Sequence, residues 1–108
     1  MYRQGDILII PANEKEIQAA QEKGSAVARE NDRLILAYGE SSGHAHAIAE
    51  KHVDLLTYQG ARFLVAESLF TLSHEEHNPI AIPAGQYRVV RQREFNPSID
   101  HPIQYVAD

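Results

Sequence analysis

The amino-acid sequence predicts a mainly β fold, a small single-domain β-barrel or sandwich with one short N-terminal helix, on three observations. Short apolar runs alternate with Gly, Pro or Asn at spacings that suit strands rather than long helices. Only residues 14–22 combine helical character with a start and a stop signal. The chain has 108 residues, 44% of them hydrophobic and 23% charged. That is one domain's length and an ordinary globular composition, which sets aside disorder, collagen-like repeats and low complexity. One β-rich domain over residues 1–108 is therefore expected.

Taken in order, Tyr2, Arg3 and Gln4 carry no signal, and Asp6 to Ile10 reads as a strand that Pro11 stops. Asn13 caps a helix from Glu14 to Glu22, which Gly24 ends. Strands follow at Arg33 to Tyr38, His44 to Ile48, Val53 to Tyr58, Ala61 to Ala66, Leu69 to Leu72 and Gln86 to Glu94. Turns fall at Gly39 to Gly43 and at Gln59-Gly60. The strands flanking Gln59-Gly60 form a hairpin, because Gly60 supplies the positive φ of a two-residue turn. Ile80 to Gly85 is a strand entering a Pro-x-Gly turn, and Ile103 to Val106 closes the chain. About seven strands in so short a chain hide their edges by stacking as two sheets or by closing into a barrel.

Ten basic against 15 acidic residues give a formal net charge of −5. Such a chain has no general attraction for phosphate backbones or anionic membranes, so neither nucleic acid nor membrane is an expected partner. No apolar run approaches a membrane span, and the first twelve residues lack a signal peptide's charge pattern, leaving the cytoplasm as the default location. A homo-oligomer taking a small-molecule ligand is the expected assembly. The absence of cysteine excludes disulfides, thiolate metal sites and cysteine nucleophiles.

Six histidines outnumber the five tyrosines and the three phenylalanines. Each is a potential ligand or proton carrier near neutral pH. On an extended chain His44 and His46 share a face at about 6.6 Å, close enough for both imidazoles to reach one metal ion. His74 and His77, three apart, suit one helical turn or a tight loop, and either supplies a third ligand. Their spacing is not the four-residue one of the metalloprotease helix signature. Glu50, four residues after His46, keeps the same face if the strand continues and could add a carboxylate oxygen. The candidate ligands are thus His44, His46, His74 and His77, around one divalent ion of Zn, Fe, Ni, Co or Mn. Glu50 or Glu76 is the candidate general base if it reaches a metal-bound water.

Gly39, His44-x-His46 and Glu50, with Pro83-Ala84-Gly85 downstream, resemble the paired motifs of the cupin superfamily over about half the chain. The resemblance implies a small β-barrel holding a divalent metal inside, with His44, His46 and Glu50 as ligands. The gap before the first histidine is one residue shorter than in that family. Arg88 stands where its further histidine belongs, so His74 or His77 would have to replace it. The phrases GHAHAI, HEEHNPI, IPAGQYRV and RQREF also resemble an uncharacterised bacterial family.

Other features read more plainly. His52 and His101 are surface residues, and Glu75 and Glu76 are solvated loop charges unless Glu76 serves as the base. Gly39 to Gly43 matches the nucleophile elbow around Ser41, but without the large α/β sheet that elbow needs it is a Gly-Ser turn. Asn96-Pro97-Ser98 is not a glycosylation acceptor, because proline stands in the middle. Val89, Arg91 and Arg93 share one face of their strand, away from Val90, Gln92 and Glu94. Those arginines either clamp a carboxylate or phosphate in a pocket or protect an exposed edge. Two functions follow: a metal-dependent enzyme acting on a small molecule, or a non-catalytic structural-metal or protein-interaction module.

Overall fold

A computed structural model describes residues 1–39, 43–92 and 105–106. Its elements are β1 (Tyr2–Gln4), β2 (Ile7–Pro11), α1 (Glu14–Lys23), β3 (Ser25–Ala26), β4 (Leu34–Tyr38) and β5 (Ala45–Ile48). There follow β6 (Val53–Tyr58), β7 (Ala61–Ala66), β8 (Phe70–Leu72), β9 (Ile80–Ile82), β10 (Gly85–Arg91) and β11 (Tyr105–Val106). The mainly β class with one short helix near the start is as expected. β6 and β7 have the expected bounds, and the other expected strands differ at an end by at most three residues within the described residues. Ser41, Arg93, Asn96 to Ser98 and His101 lie outside the described residues.

The large sheet has the order β11-β1-β2-β10-β7-β6-β3. Its pairs are antiparallel except β1 with β11. Opposite it, the β4-β5 and β8-β9 hairpins are joined where Ala47 and Ser73 exchange two backbone hydrogen bonds of 2.9 Å. The core between the layers takes Ile7 and Ile9 from β2, Leu64 from β7, Ile48 from β5, Phe70 and Leu72 from β8, and Ile82 from β9. Alternation on β7 turns Phe63 to the opposite face, where it packs with Ile17 and Ala20 of α1. The sheets are not closed into a barrel, so of the two expected arrangements the sandwich fits. Instead, the β3 edge ends on two residues, a length that offers little for edge pairing.

Local chemistry accounts for the elements. Asn13 accepts a 2.8 Å hydrogen bond from the Glu16 N–H, and the Gly24 N–H closes the helix on the Ala20 carbonyl at 2.9 Å. The Gln59-Gly60 turn has φ of 49° and 78°, the doubly positive pair of a two-residue hairpin. β10 sits between β2 and β7, so Arg88 and Arg91 are on a central strand and protect no edge. Among the described residues no helix is long and apolar enough to cross a membrane.

Phe70 is wholly buried between the layers. Phe70→Ala is expected to lower unfolding stability by about 3–5 kcal/mol through lost transfer energy and the cavity left behind, as read by urea denaturation.

Candidate metal centre

Three local structures bring polar side chains to one end of the sandwich. Gly5 and Asp6 form the tight turn between β1 and β2, with Gln4 opposite Ile7. Gly5 has φ of 57° at the first turn position, and a side chain there would meet the His77 ring at 3.0 Å. On β5, His46 shares a face with Ile48, so the alternation that sends Ile48 into the core also turns His46 inward. A register shift in β4 between Ile35 and Ala37 leaves Ala37 opposite His46. The connection between β8 and β9 carries His74 and His77 in a loop, not in a helical turn.

His46, His74 and His77 converge, each offering a ring nitrogen within 4.8 Å of the others. Ring centroids lie 4.4 Å apart for His46 and His74, 4.6 Å for His74 and His77, and 5.7 Å for His46 and His77. They open onto a cleft of about 410 Å³, whose walls include Asp6, Tyr38, His44, Glu76 and Arg91. His44 immediately precedes β5 and lines the same cleft as His46. It lies beside the triad, 5.9 Å from the His74 ring, with its Nδ1 3.2 Å from Glu76 Oε1.

Glu50 does not line the cleft; its Oε2 accepts the Thr71 N–H at 2.9 Å. Glu75 accepts the Ala45 N–H at 2.9 Å, and with a second backbone bond this holds its carboxyl below the usual value. His52 meets the Leu69 carbonyl on the surface. Arg88 faces α1, 3.4 Å from Glu16, and takes no part in the cleft.

Gln4 is completely buried and organises His46, which is 3% exposed. Its Nε2 donates to the Leu72 and Asn78 carbonyls, both at 3.0 Å, which fixes Oε1 as the acceptor. His46 Nδ1, 2.9 Å from that oxygen, must therefore carry the proton in the neutral ring. The lone pair is left on Nε2, the arrangement a metal-binding imidazole needs. The His46 Nε2 lies 3.5 Å from Asp6 Oδ1, and Asp6 Oδ2 accepts from Arg91 Nε at 2.9 Å. Burial alone would raise the Asp6 carboxyl, but the Arg91 hydrogen bond and charge outweigh it and hold it below its ordinary value.

His74 is arranged differently. The Glu76 N–H donates to its Nδ1 at 3.0 Å, which puts the neutral ring's proton on Nε2. Coordination through Nδ1 displaces this donor, and coordination through Nε2 requires the proton on Nδ1. Either way the bond is lost, at about 1 kcal/mol. Gln4, Asp6 and Arg91 are the site residues that spacing did not single out as a set. The available signals were the Gly-Asp pair before an apolar run and the inward register of Arg91 with Val89.

Burial, then the His74 charge, press His46 down to about 4, with Asp6 opposing and His77 and Arg91 reinforcing. Burial and His77 lower His74 as well. A pKa lowered on folding means that the unfolded chain binds more protons between about 6.5 and 4. The associated stability is present above 6.5 and lost as pH falls through that window, by up to about 3 kcal/mol. In metal-free protein, His46→Asn is expected to flatten this part of the stability profile, measured by urea midpoints from pH 7 to 4.5.

Comparison with known proteins places this site in a family without an assigned activity. No match is found among curated proteins or among solved structures, and nothing found supports the cupin resemblance. A family model described as a domain of unknown function, DUF8820, matches residues 3–92, which include Gln4, Asp6, the three histidines and Arg91. The chain belongs to the DUF8820 family.

Proposed function

We propose that this protein binds one divalent transition metal through His46, His74 and His77 and uses it on a small molecule held in the adjoining cleft. The observation that carries the reading is the convergence of three imidazoles within 4.8 Å at an open cleft. The Gln4 hydrogen bond to His46 adds the outer support common to metal-ligating histidines. Nitrogen ligands without sulfur suit Zn, Fe, Ni, Co or Mn. Three protein ligands leave a position for water or a substrate oxygen, which favours catalysis over the closed four-ligand shell of a structural site. Such a metal acidifies bound water or polarises a substrate oxygen. Glu76, on the cleft wall beside His44, is the candidate base; Glu50 is committed elsewhere.

Untagged protein is expected to hold near one equivalent of a single metal by plasma mass spectrometry. His46→Ala and the His74→Ala, His77→Ala double variant should lose it while keeping the β-type circular dichroism of the parent. Parent protein that retains no metal after incubation with Zn, Fe, Ni, Co and Mn salts would refute the proposal. Metal addition is also expected to shift the Glu76 backbone amide resonance and speed its hydrogen exchange, because the bond to His74 Nδ1 is given up.

A further inference from the structure

Arg91 lines the same cleft as the three histidines, and its guanidinium is only partly used. Nε donates to Asp6 at 2.9 Å and Nη2 to the Tyr38 carbonyl at 3.1 Å. These are two of the five N–H groups of a guanidinium, and among the described residues the others meet no partner. The side chain is 30% exposed, so the unused end is accessible. Arg62, on the neighbouring strand β7, donates to the Leu36 carbonyl and has no ion-pair partner among the described residues. Arg62 and Arg91 are close enough to repel each other, and among the described residues Asp6 is the carboxylate that pairs with Arg91.

The geometry also indicates what fits. The Asp6 carboxylate touches Arg91 with one oxygen and lies 3.5 Å from His46 Nε2 with the other. One carboxylate thus spans the guanidinium and the nitrogen assigned to the metal. We propose that the cleft's ligand is a small monocarboxylate, which rests on the free end of Arg91 while an oxygen meets the metal. Asp6 is the internal competitor for both contacts. Bidentate pairing to a carboxylate is the geometry a guanidinium favours. Asp6 and Glu76 on the walls oppose a dianion such as phosphate. The proposal rests on the metal reading for one of its two contacts and on Arg91 alone for the other.

The test uses Co(II)-loaded full-length protein, with metal content measured separately for every variant. Acetate and glycolate are expected to perturb the visible Co(II) spectrum. Arg91→Gln should weaken that binding tenfold or more at unchanged metal content, and Asp6→Asn should tighten it several-fold. Equal acetate affinity in the parent and in Arg91→Gln, with cobalt bound in both, would overturn the carboxylate site and leave the metal reading intact. Tighter binding of inorganic phosphate than of acetate would overturn the monocarboxylate assignment. If the parent binds no cobalt, the Arg91 side-chain ¹⁵N–¹H resonances of metal-free protein decide the Arg91 contact. Their shift on adding acetate would support the Arg91 contact, and an unchanged spectrum would overturn it.

Discussion

The buried side-chain amide of Gln4 is the interaction on which the site depends. It joins the first strand of the large sheet to the Leu72 and Asn78 carbonyls at either end of the loop bearing His74 and His77, and to the ring of His46. Both amide hydrogens and the oxygen are engaged, so each group removed from water has a partner. An apolar residue there would leave two carbonyls and an imidazole N–H unsatisfied, at about 1–3 kcal/mol for each group that stays buried. Because the three bonds share one planar group, the position of the loop and the tautomer of His46 are set together.

A second set of long side chains explains how the two layers hold together without closing. β4 pairs with β5 along one side. The Leu36 and Tyr38 carbonyls of β4 receive N–H donors from Arg62 on β7 and Arg91 on β10. Side chains of the large sheet thus do at this edge what a neighbouring strand would do in a barrel. A ladder would have sealed this end of the sandwich; two guanidinium groups span the gap and leave room for the cleft. Desolvation lowers the Arg62 pKa, with Arg91 adding repulsion, yet the group remains a cation far above neutral pH.

What was legible in the sequence follows from whether the signal was local. The β6-β7 hairpin and α1 are encoded by adjacent residues, Gln59-Gly60 in one case and Asn13 with Gly24 in the other. The inward turn of His46 followed from alternation on β5. That His44 lies beside the triad rather than within it depends on His74 and Glu76, which come from a loop distant in the sequence. β1 was silent because Tyr2, Arg3 and Gln4 show no alternation of apolar and polar types. The burial of Gln4 makes sense only once its three partners surround it. Whether Arg91 lines a pocket or guards an edge is not decided locally, because its carboxylate partner is 85 residues away and only the sheet order makes its strand a central one. The size of the chain indicated packed sheets but could not choose between barrel and sandwich, since both satisfy the same short strands.

The separation between Gln4 and His46, 42 residues, and between Asp6 and Arg91, 85 residues, bears on how the protein meets its metal. No contiguous segment contains the ligands and their supports, so the unfolded chain lacks the assembled donor set. The proposed ion would therefore be a ligand of the native state and shift the folding equilibrium by mass action. Free metal at a hundred times its dissociation constant adds about 2.7 kcal/mol. Scarcity of metal would then act on the amount of folded protein as well as on the chemistry each molecule can perform.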